Sequence, residues 1–297
     1  MKKLKFIPSI IIALVASFIF TSCDKLDAPF VVPKVPEDTT SVPAKAYKRA
    51  FLEDYTGHTC VNCPAAALTA RNLKEQYKDS LVVIAVHAGF YAKPSTSDPV
   101  WAYDFRSPAG TDWDNFFKVG AIGNPNGMVS RKGYPANQQV LSPSSWANAV
   151  KNTVAEAPLL DLKLLTEYNL AEDKLIIQTT TNFLQTISGR SLNISVIITE
   201  DSIVQAQKNN NAAVGPTPQI LDYVHMHVMR GAVNGSWGTP LLLKTETSSA
   251  PIVKTFQTKF AGFNLNTMVV KNCRVVAYVY DTDTKEVLQV VEQDVVK

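Results

Sequence analysis

The segment Thr59-Cys60-Val61-Asn62-Cys63-Pro64 constrains this chain more than any other. Two cysteines separated by two residues close a small disulfide ring where the backbone curls as in the first turn of a helix. The flanking residues favour that curl. Pro64 suits a first helical turn, and Ala65-Ala66-Ala67-Leu68 with Ala70, Leu73 and Tyr77 continues at spacings of three and four, the period of an amphipathic helix. Cys60 is therefore expected at a helix N-terminus, where unpaired N–H groups and the macrodipole favour a thiolate and can lower a thiol pKa from about 8.5 to roughly 3.5–7.5. Cys60 reads as the nucleophile and Cys63, one turn in, as the resolving thiol. Two plainer readings compete. A structural disulfide across so short a loop contributes about 2 kcal/mol, against nearly 5 for a loop of about a hundred residues, so this spacing is a poor place for a staple. Zinc wants a second pair of ligands, and the other cysteines, Cys23 and Cys273, stand at incompatible places.

The N-terminus places the chain outside the cytoplasm. Lys2, Lys3 and Lys5 precede a run from Phe6 to Phe20 without charge, so residues 1–22 read as a secretory signal, and the run is shorter than the roughly 20 residues a membrane-spanning helix needs. Phe20-Thr21-Ser22-Cys23 resembles a bacterial lipobox, which makes Cys23 the acylated first residue of the mature chain. Acyl chains at about 0.8 kcal/mol per buried CH₂ would anchor the protein without spanning the membrane. The three signal lysines account for the whole surplus of 29 Lys and Arg over 26 Asp and Glu, so nothing in the charge balance points to nucleic acid. Residues 23–45, with Pro29, Pro33, Pro36 and Pro43, read as a semi-rigid tether.

From Ala46 the pattern turns globular. Ala46 to Thr56 reads as a strand, the cysteine helix follows, and Leu81 to Val86 is a continuous apolar run of the kind buried in a parallel sheet. Strand, helix and strand make a βαβ unit, with the cysteines at the carboxyl end of its first strand, where open α/β sheets place their sites. Asp54 lies six residues before Cys60, and Val119-Gly120-Ala121-Ile122-Gly123-Asn124-Pro125 precedes the strand Met128-Val129-Ser130. These features resemble thioredoxin-like proteins. The resemblance implies that Asp54 is the buried acid that moves protons to the resolving thiol and that Pro125 is the cis-proline facing the CxxC. Thr59, Val61-Asn62 and Asn126-Gly127 depart from the usual residues of that family.

Residues 90–110, rich in aromatics and prolines, read either as a loop walling the site or as a self-packed excursion. Thr111 with Asp114 predicts a helix start, and Ser144 or Ser145 another. The first domain is expected over 46–157. From 158 to 297 the period changes to two, in Leu175 to Thr181, Leu192 to Val196, Val275 to Tyr280 and Glu286 to Val291. The expected architecture is thus α/β plus all-β: a thioredoxin-like domain followed by an immunoglobulin-like antiparallel β-sandwich. Cys273 reads as a small buried hydrophobe.

The histidines extend the site. His58, two residues before Cys60, is a candidate for tuning its thiolate, with a solvent-facing loop histidine as the alternative. His87, at the end of the second strand, is expected to face the same cleft. His225 and His227 are expected on one face of a strand, a pair able to chelate a metal only with a third ligand, so a structural or solvent-facing pair is the expectation and no metal is assigned. The whole layout, from the lipobox through Thr-Gly-His-Thr-Cys-Val-Asn-Cys-Pro and Ile-Ala-Val-His-Ala-Gly to His-Met-His-Val-Met-Arg-Gly, resembles the twenty-eight-kilodalton outer-membrane protein family. That resemblance implies a lipid-anchored outer-membrane protein. Two functions stay open: a thiol-disulfide oxidoreductase acting on extracytoplasmic protein thiols and disulfides through Cys60, Cys63, Asp54 and Pro125 without metal or organic cofactor, or a surface binding protein of adhesin type whose Cys60–Cys63 bond is structural and whose partner is a surface ligand.

Overall fold

Strand β1 (Ala50–Thr56) is buried at every position, and its side chains alternate between two different cores. Ala50 and Leu52 pack with Ala66, Ala70 and Leu73 of helix α1 (Cys63–Tyr77), while Phe51 and Tyr55 face Trp113 and Phe117 of helix α2 (Pro108–Phe117). Strand β2 (Leu81–His87) runs parallel to β1 with Thr56 opposite His87. A short helix α3 (Val119–Ile122) leads to β3 (Asn126–Val129), antiparallel to β1, and α4 (Pro143–Val154) closes over α1. The computed structural model describes residues 46–248, 250–263 and 268–296. The expected signal, Cys23 and the tether lie outside the described residues.

The rest of the chain is strands: β4 (Leu160–Asn169), β5 (Lys174–Phe183), β6 (Ile187–Ser188), β7 (Leu192–Glu200), β8 (Ile203–Lys208), β9 (Gln219–His225), β10 (Val228–Ala232), β11 (Thr239–Leu242), β12 (Thr247–Ser248), β13 (Ile252–Thr258), β14 (Cys273–Asp281) and β15 (Val287–Asp294). Among the described residues the largest sheet has the order β15-β14-β7-β10-β2-β1-β3, with β11 on the edge of β7. Strands from both sides of the expected boundary at 157 therefore share one sheet, joined where Val228 of β10 pairs in parallel with Ala85 of β2, and Lys45–Lys297 is one compact unit. On one face β4, β5 and β13 form a three-stranded sheet whose Leu160, Leu162, Leu175 and Ile177 meet Ile194, Val196, Val275 and Ala277. Cys273 lies in this core, as expected, and burial pushes its thiol up to about 12. On the other face α2 covers β1, β2 and β14 together.

A buried ion pair ties that second face together. Arg131, with no side-chain exposure, donates from Nε and Nη2 to the two Glu53 oxygens, each at 2.8 Å, and from Nη2 to the Tyr278 hydroxyl at 3.3 Å. Its charge sits 4.8 Å from the centre of the Trp113 ring.

Two helix starts differ from expectation. Helix α2 is capped by Ser107, whose Oγ accepts from Gly110 N at 3.1 Å with Pro108 in the first turn, not by Thr111 and Asp114; Asp114 instead accepts from Gly120 N at 2.6 Å. Helix α4 starts at Pro143, one residue before the expected serines.

Candidate functional site

The loop from Gly57 to Asn62 turns the chain out of β1 and back into α1. Cys60 and Cys63 are joined as a disulfide with their Cα atoms 5.4 Å apart. The helix proper starts at Cys63, so Cys60 stands in the turn before it, three residues short of the expected position, with Cys63 N donating to Cys60 O at 3.4 Å. The loop is pinned by the 90–110 insertion. Thr59 donates from N and Oγ1 to Tyr91 O at 3.1 and 2.9 Å, and a Cβ on Gly57 would lie 2.4 Å from the Tyr91 carbonyl carbon, so only glycine permits this approach.

Both cysteines are 2 % exposed, and the cover is the β8–β9 hairpin, an excursion between β7 and β10. Lys208 N donates to His58 O at 2.8 Å and Asn210 N to Val61 O at 3.0 Å. The Gln207 amide, itself buried, donates to Cys60 O at 2.9 Å and Gly57 O at 3.3 Å. Lys208 Nζ lies 5.6 Å from the centre of the Trp101 ring, and that ring stacks on His58 at 6.0 Å, so insertion and hairpin meet over the loop.

Beside Cys63 is a cavity of about 380 Å³. The period of two in β1 and β2 aims Asp54, Thr56, Ala85 and His87 into it, and the hairpin adds Gln207, Tyr223 and His225. Asp54 is 3 % exposed, its Oδ1 has no hydrogen-bond partner, and burial raises its pKa to about 7. His87 stacks on Phe105 at 4.5 Å and faces His225 at 5.7 Å. Burial, then the neighbouring His225, holds His87 well below the usual histidine range, and burial brings His225 down to about 3.

Asp54, Cys63 and His87 meet at one cavity. Pro125, in a cis peptide with Asn124, precedes β3, whose Asn126 pairs with Tyr55, so it stands at the same end of the sheet as the cysteine loop. His58 is buried, not solvent-facing; its Nε2 lies 3.3 Å from Trp101 O and burial lowers its pKa. His225 and His227 do not share a strand face. His225 ends β9 inside the aromatic cluster, whereas His227 occupies the turn before β10 with φ 56° and its Nδ1 lies 3.1 Å from Asp201. No group of three potential metal ligands occurs among the described residues. Gln207 and Tyr223 carry no local signal in the sequence, since a bulge between Gln205 and Gln207 breaks the period of two that would otherwise mark the inward face of β8.

HBP35 of Porphyromonas gingivalis shares the fold, with TM-score 0.59 at 16% identity over 84% of this chain and 76% of that chain. A protein of Agrobacterium tumefaciens aligns over 85% of this chain and 96% of its own with TM-score 0.48 and 12% identity. A domain of the outer membrane lipoprotein Omp28 from Porphyromonas gingivalis aligns over 47% of this chain and 90% of its own with TM-score 0.30 and 20% identity. No curated protein matches the chain. No described helix is long and apolar enough to cross a membrane. The family described as Outer membrane protein Omp28 matches residues 113–297, from α2 through the hairpin to the C-terminus, and the chain belongs to that outer-membrane family.

Proposed function

We propose that this outer-membrane protein, held by lipid on Cys23, carries a thioredoxin-like site that exchanges disulfides with extracytoplasmic protein thiols when the β8–β9 hairpin lifts. The observation that carries this reading is Asp54: a fully buried carboxyl, unpartnered at Oδ1, beside Cys63 in one cavity. It serves no fold contact that would repay its burial, whereas a group that holds a proton near neutrality is what a resolving thiol needs.

A client thiolate attacks Cys60 Sγ, the Cys60–Cys63 bond breaks, and its electron pair goes to Cys63 Sγ, which takes a proton from the Asp54 carboxyl. A second client thiolate then attacks the client sulfur of the mixed disulfide and releases Cys60. The client is oxidised to a disulfide and the pair reduced to two thiols; the reverse sequence reduces a client. Pro125 would border the groove in which the client strand lies, and His58 and His87 stay neutral beside it. In the sandwich half, an immunoglobulin-like reading gives β4, β5, β7, β13 and β14 the role of a rigid base for the hairpin.

The trapping experiment is direct. In the intact protein Cys63→Ser should accumulate protein adducts on Cys60; a clean absence of adducts under both oxidising and reducing conditions removes the proposal. A second reading, a surface binding protein with a structural disulfide, is favoured by the 2 % exposure of both cysteines. A reduction potential of the intact protein below about −300 mV would select that reading.

A further inference from the structure

Three of the chain's four histidines pack on one phenylalanine. The centre of the Phe105 ring lies 5.5 Å from that of His58, 4.5 Å from His87 and 4.4 Å from His225, and His87 and His225 are 5.7 Å apart. All three imidazoles are buried. They come from the cysteine loop, the end of β2 and the end of β9, so the cluster forms where the β8–β9 hairpin meets the body of the protein.

This junction is unsuited to charge. Among the described residues none of the three is ion-paired with a carboxylate, whereas His227, outside the cluster, has Asp201 at 3.1 Å. Lys208 acts on His58 and Arg230 on His87 with the same sign as an imidazolium, and Arg71 lines the cavity that His225 faces. Against them stand Asp104, which already accepts from Arg106 at 2.8 Å, and Asp54 in the cavity. Tyr223 packs edge-on against His225 at 4.8 Å, its hydroxyl pKa raised by burial. Burial lowers all three histidines, and His225 and then His58 lower His87 further. Neutral rings pack here without penalty, whereas charging one of them buries an imidazolium that has no carboxylate bonded to it. The hairpin also has the turns a moving segment needs. It leaves β7 through Asp201-Ser202 and rejoins β10 through Met226-His227, with Ser202 at φ 64° and His227 at φ 56°, and Asp201 Oδ1 accepts from His227 N at 2.6 Å to tie the two arms together.

We propose that the histidine cluster is an acid-operated latch: its neutral rings hold the hairpin over the cysteines, and protonation of the cluster lifts the hairpin and opens the Cys60–Cys63 bond to solvent. The latch rests on the reading that the hairpin gates the cysteines and adds the signal that moves it. Freed into water, an imidazole takes a proton below about pH 6.5; in the closed state His225 stays neutral down to about 3. The advantage of the closed state is therefore complete above pH 6.5 and is lost as pH falls. Asp54 works in the opposite direction, since its carboxyl, held at about 7 while covered and at 3.8 when wet, gives up one proton on opening between those values. Three histidines gain protons against one carboxyl that loses one, so acid opens the hairpin. His227 keeps Asp201 at the pivot in both states and drops out of the balance.

Reduction of the intact protein by tris(carboxyethyl)phosphine, which attacks disulfides in acid as well as at neutral pH, reports opening without any client thiol. Measured against oxidised glutathione under the same conditions, the Cys60–Cys63 bond should be reduced at least about tenfold faster at pH 5 than at pH 7.5, with the far-ultraviolet circular dichroism unchanged. His225→Phe keeps a ring on Phe105 and should cut that acceleration at least about threefold. Asp54→Asn removes the opposing proton and should steepen it, which answers the question if His225→Phe does not fold. A ratio constant within about twofold across this pH range, an acceleration that appears only as the circular dichroism signal is lost, or one unchanged in the folded variants overturns the latch. Phosphine reduction needs no exchange with a client, so an acid-accelerated rate together with an empty Cys63→Ser trap would remove the exchange activity and leave the latch standing.

Discussion

Replacing Asp54 by asparagine keeps the shape of the side chain and removes its ability to ionise. Burial raises the Asp54 pKa from 3.8 to about 7 in the folded protein, with no compensating partner. Between those values the unfolded chain has already lost the proton that the folded chain keeps, so stability falls as pH rises through that window. At about 1.36 kcal/mol per unit, the burial of this acid costs roughly 4 kcal/mol at pH 8 and under about 1 kcal/mol at pH 4. Asp54→Asn should therefore raise the unfolding free energy of the disulfide-intact protein by about 4 kcal/mol at pH 8 and change it little at pH 4, as read from urea unfolding with an unchanged slope. For a folded unit of this size that is roughly 8–16 °C in Tm. The same variant should lose any inflection near pH 7 in the rate of disulfide exchange. Equal urea midpoints for both proteins at pH 8 would refute the assignment of Asp54 as an unpaired buried acid.

Other perturbations probe the surroundings. His225 is depressed from 6.5 to about 3, so the stability it contributes is complete above pH 6.5 and lost as pH falls toward 3; His225→Phe, which keeps a ring against Phe105, should flatten this acid limb by up to about 5 kcal/mol at pH 3 in urea titrations. Gln207→Ala strips the side-chain donor from Cys60 O and Gly57 O, which keep their backbone donors Cys63 N and Cys60 N, and at about 0.5–1.5 kcal/mol net it should speed dithiothreitol reduction of the disulfide roughly two- to tenfold; an unchanged rate would mean the hairpin does not gate access. Glu53→Gln leaves the Arg131 guanidinium buried without its carboxylate and should cost about 3–5 kcal/mol by chemical denaturation, independent of redox state.

What the sequence disclosed was whatever is written in local period. β1, α1 and β2 carry their alternation and their three-four spacing in contiguous residues, and the cavity wall of Asp54 and His87 follows from that alternation alone. β7 and β14 read as strands for the same reason. Partners distant in the chain leave no such mark. Nothing near Val228 announces that it pairs with Ala85, and nothing near Arg131 announces Glu53, so a sheet that runs through both halves is not legible in either half alone. The start of α2 is ambiguous in the sequence for a different reason: Ser107-Pro108 and Thr111-x-x-Asp114 both offer caps, and the serine takes the role because its hydroxyl lies at Gly110 N while Asp114 is engaged at Gly120.

The hairpin shows how such distant pairing covers the candidate site. Among the described residues β8 and β9 pair with each other and with no strand of the main sheet, while β7 and β10 on either side of them are fixed in it. Lifting the hairpin therefore leaves the sheet ladders intact. It gives up the Lys208–His58 and Asn210–Val61 backbone bonds, the Asn210–Asn62 side-chain bond and the Gln207 contacts, at a net of about 0.5–1.5 kcal/mol each, together with the Lys208–Trp101 contact and the apolar contacts around His225. That sum is a fraction of global unfolding, the range in which gating segments operate. The proposed exchange therefore requires the hairpin to open without global unfolding, and native-state hydrogen exchange checks this: the β8 and β9 amides should exchange well before those of β7 and β14, and equal protection would refute it.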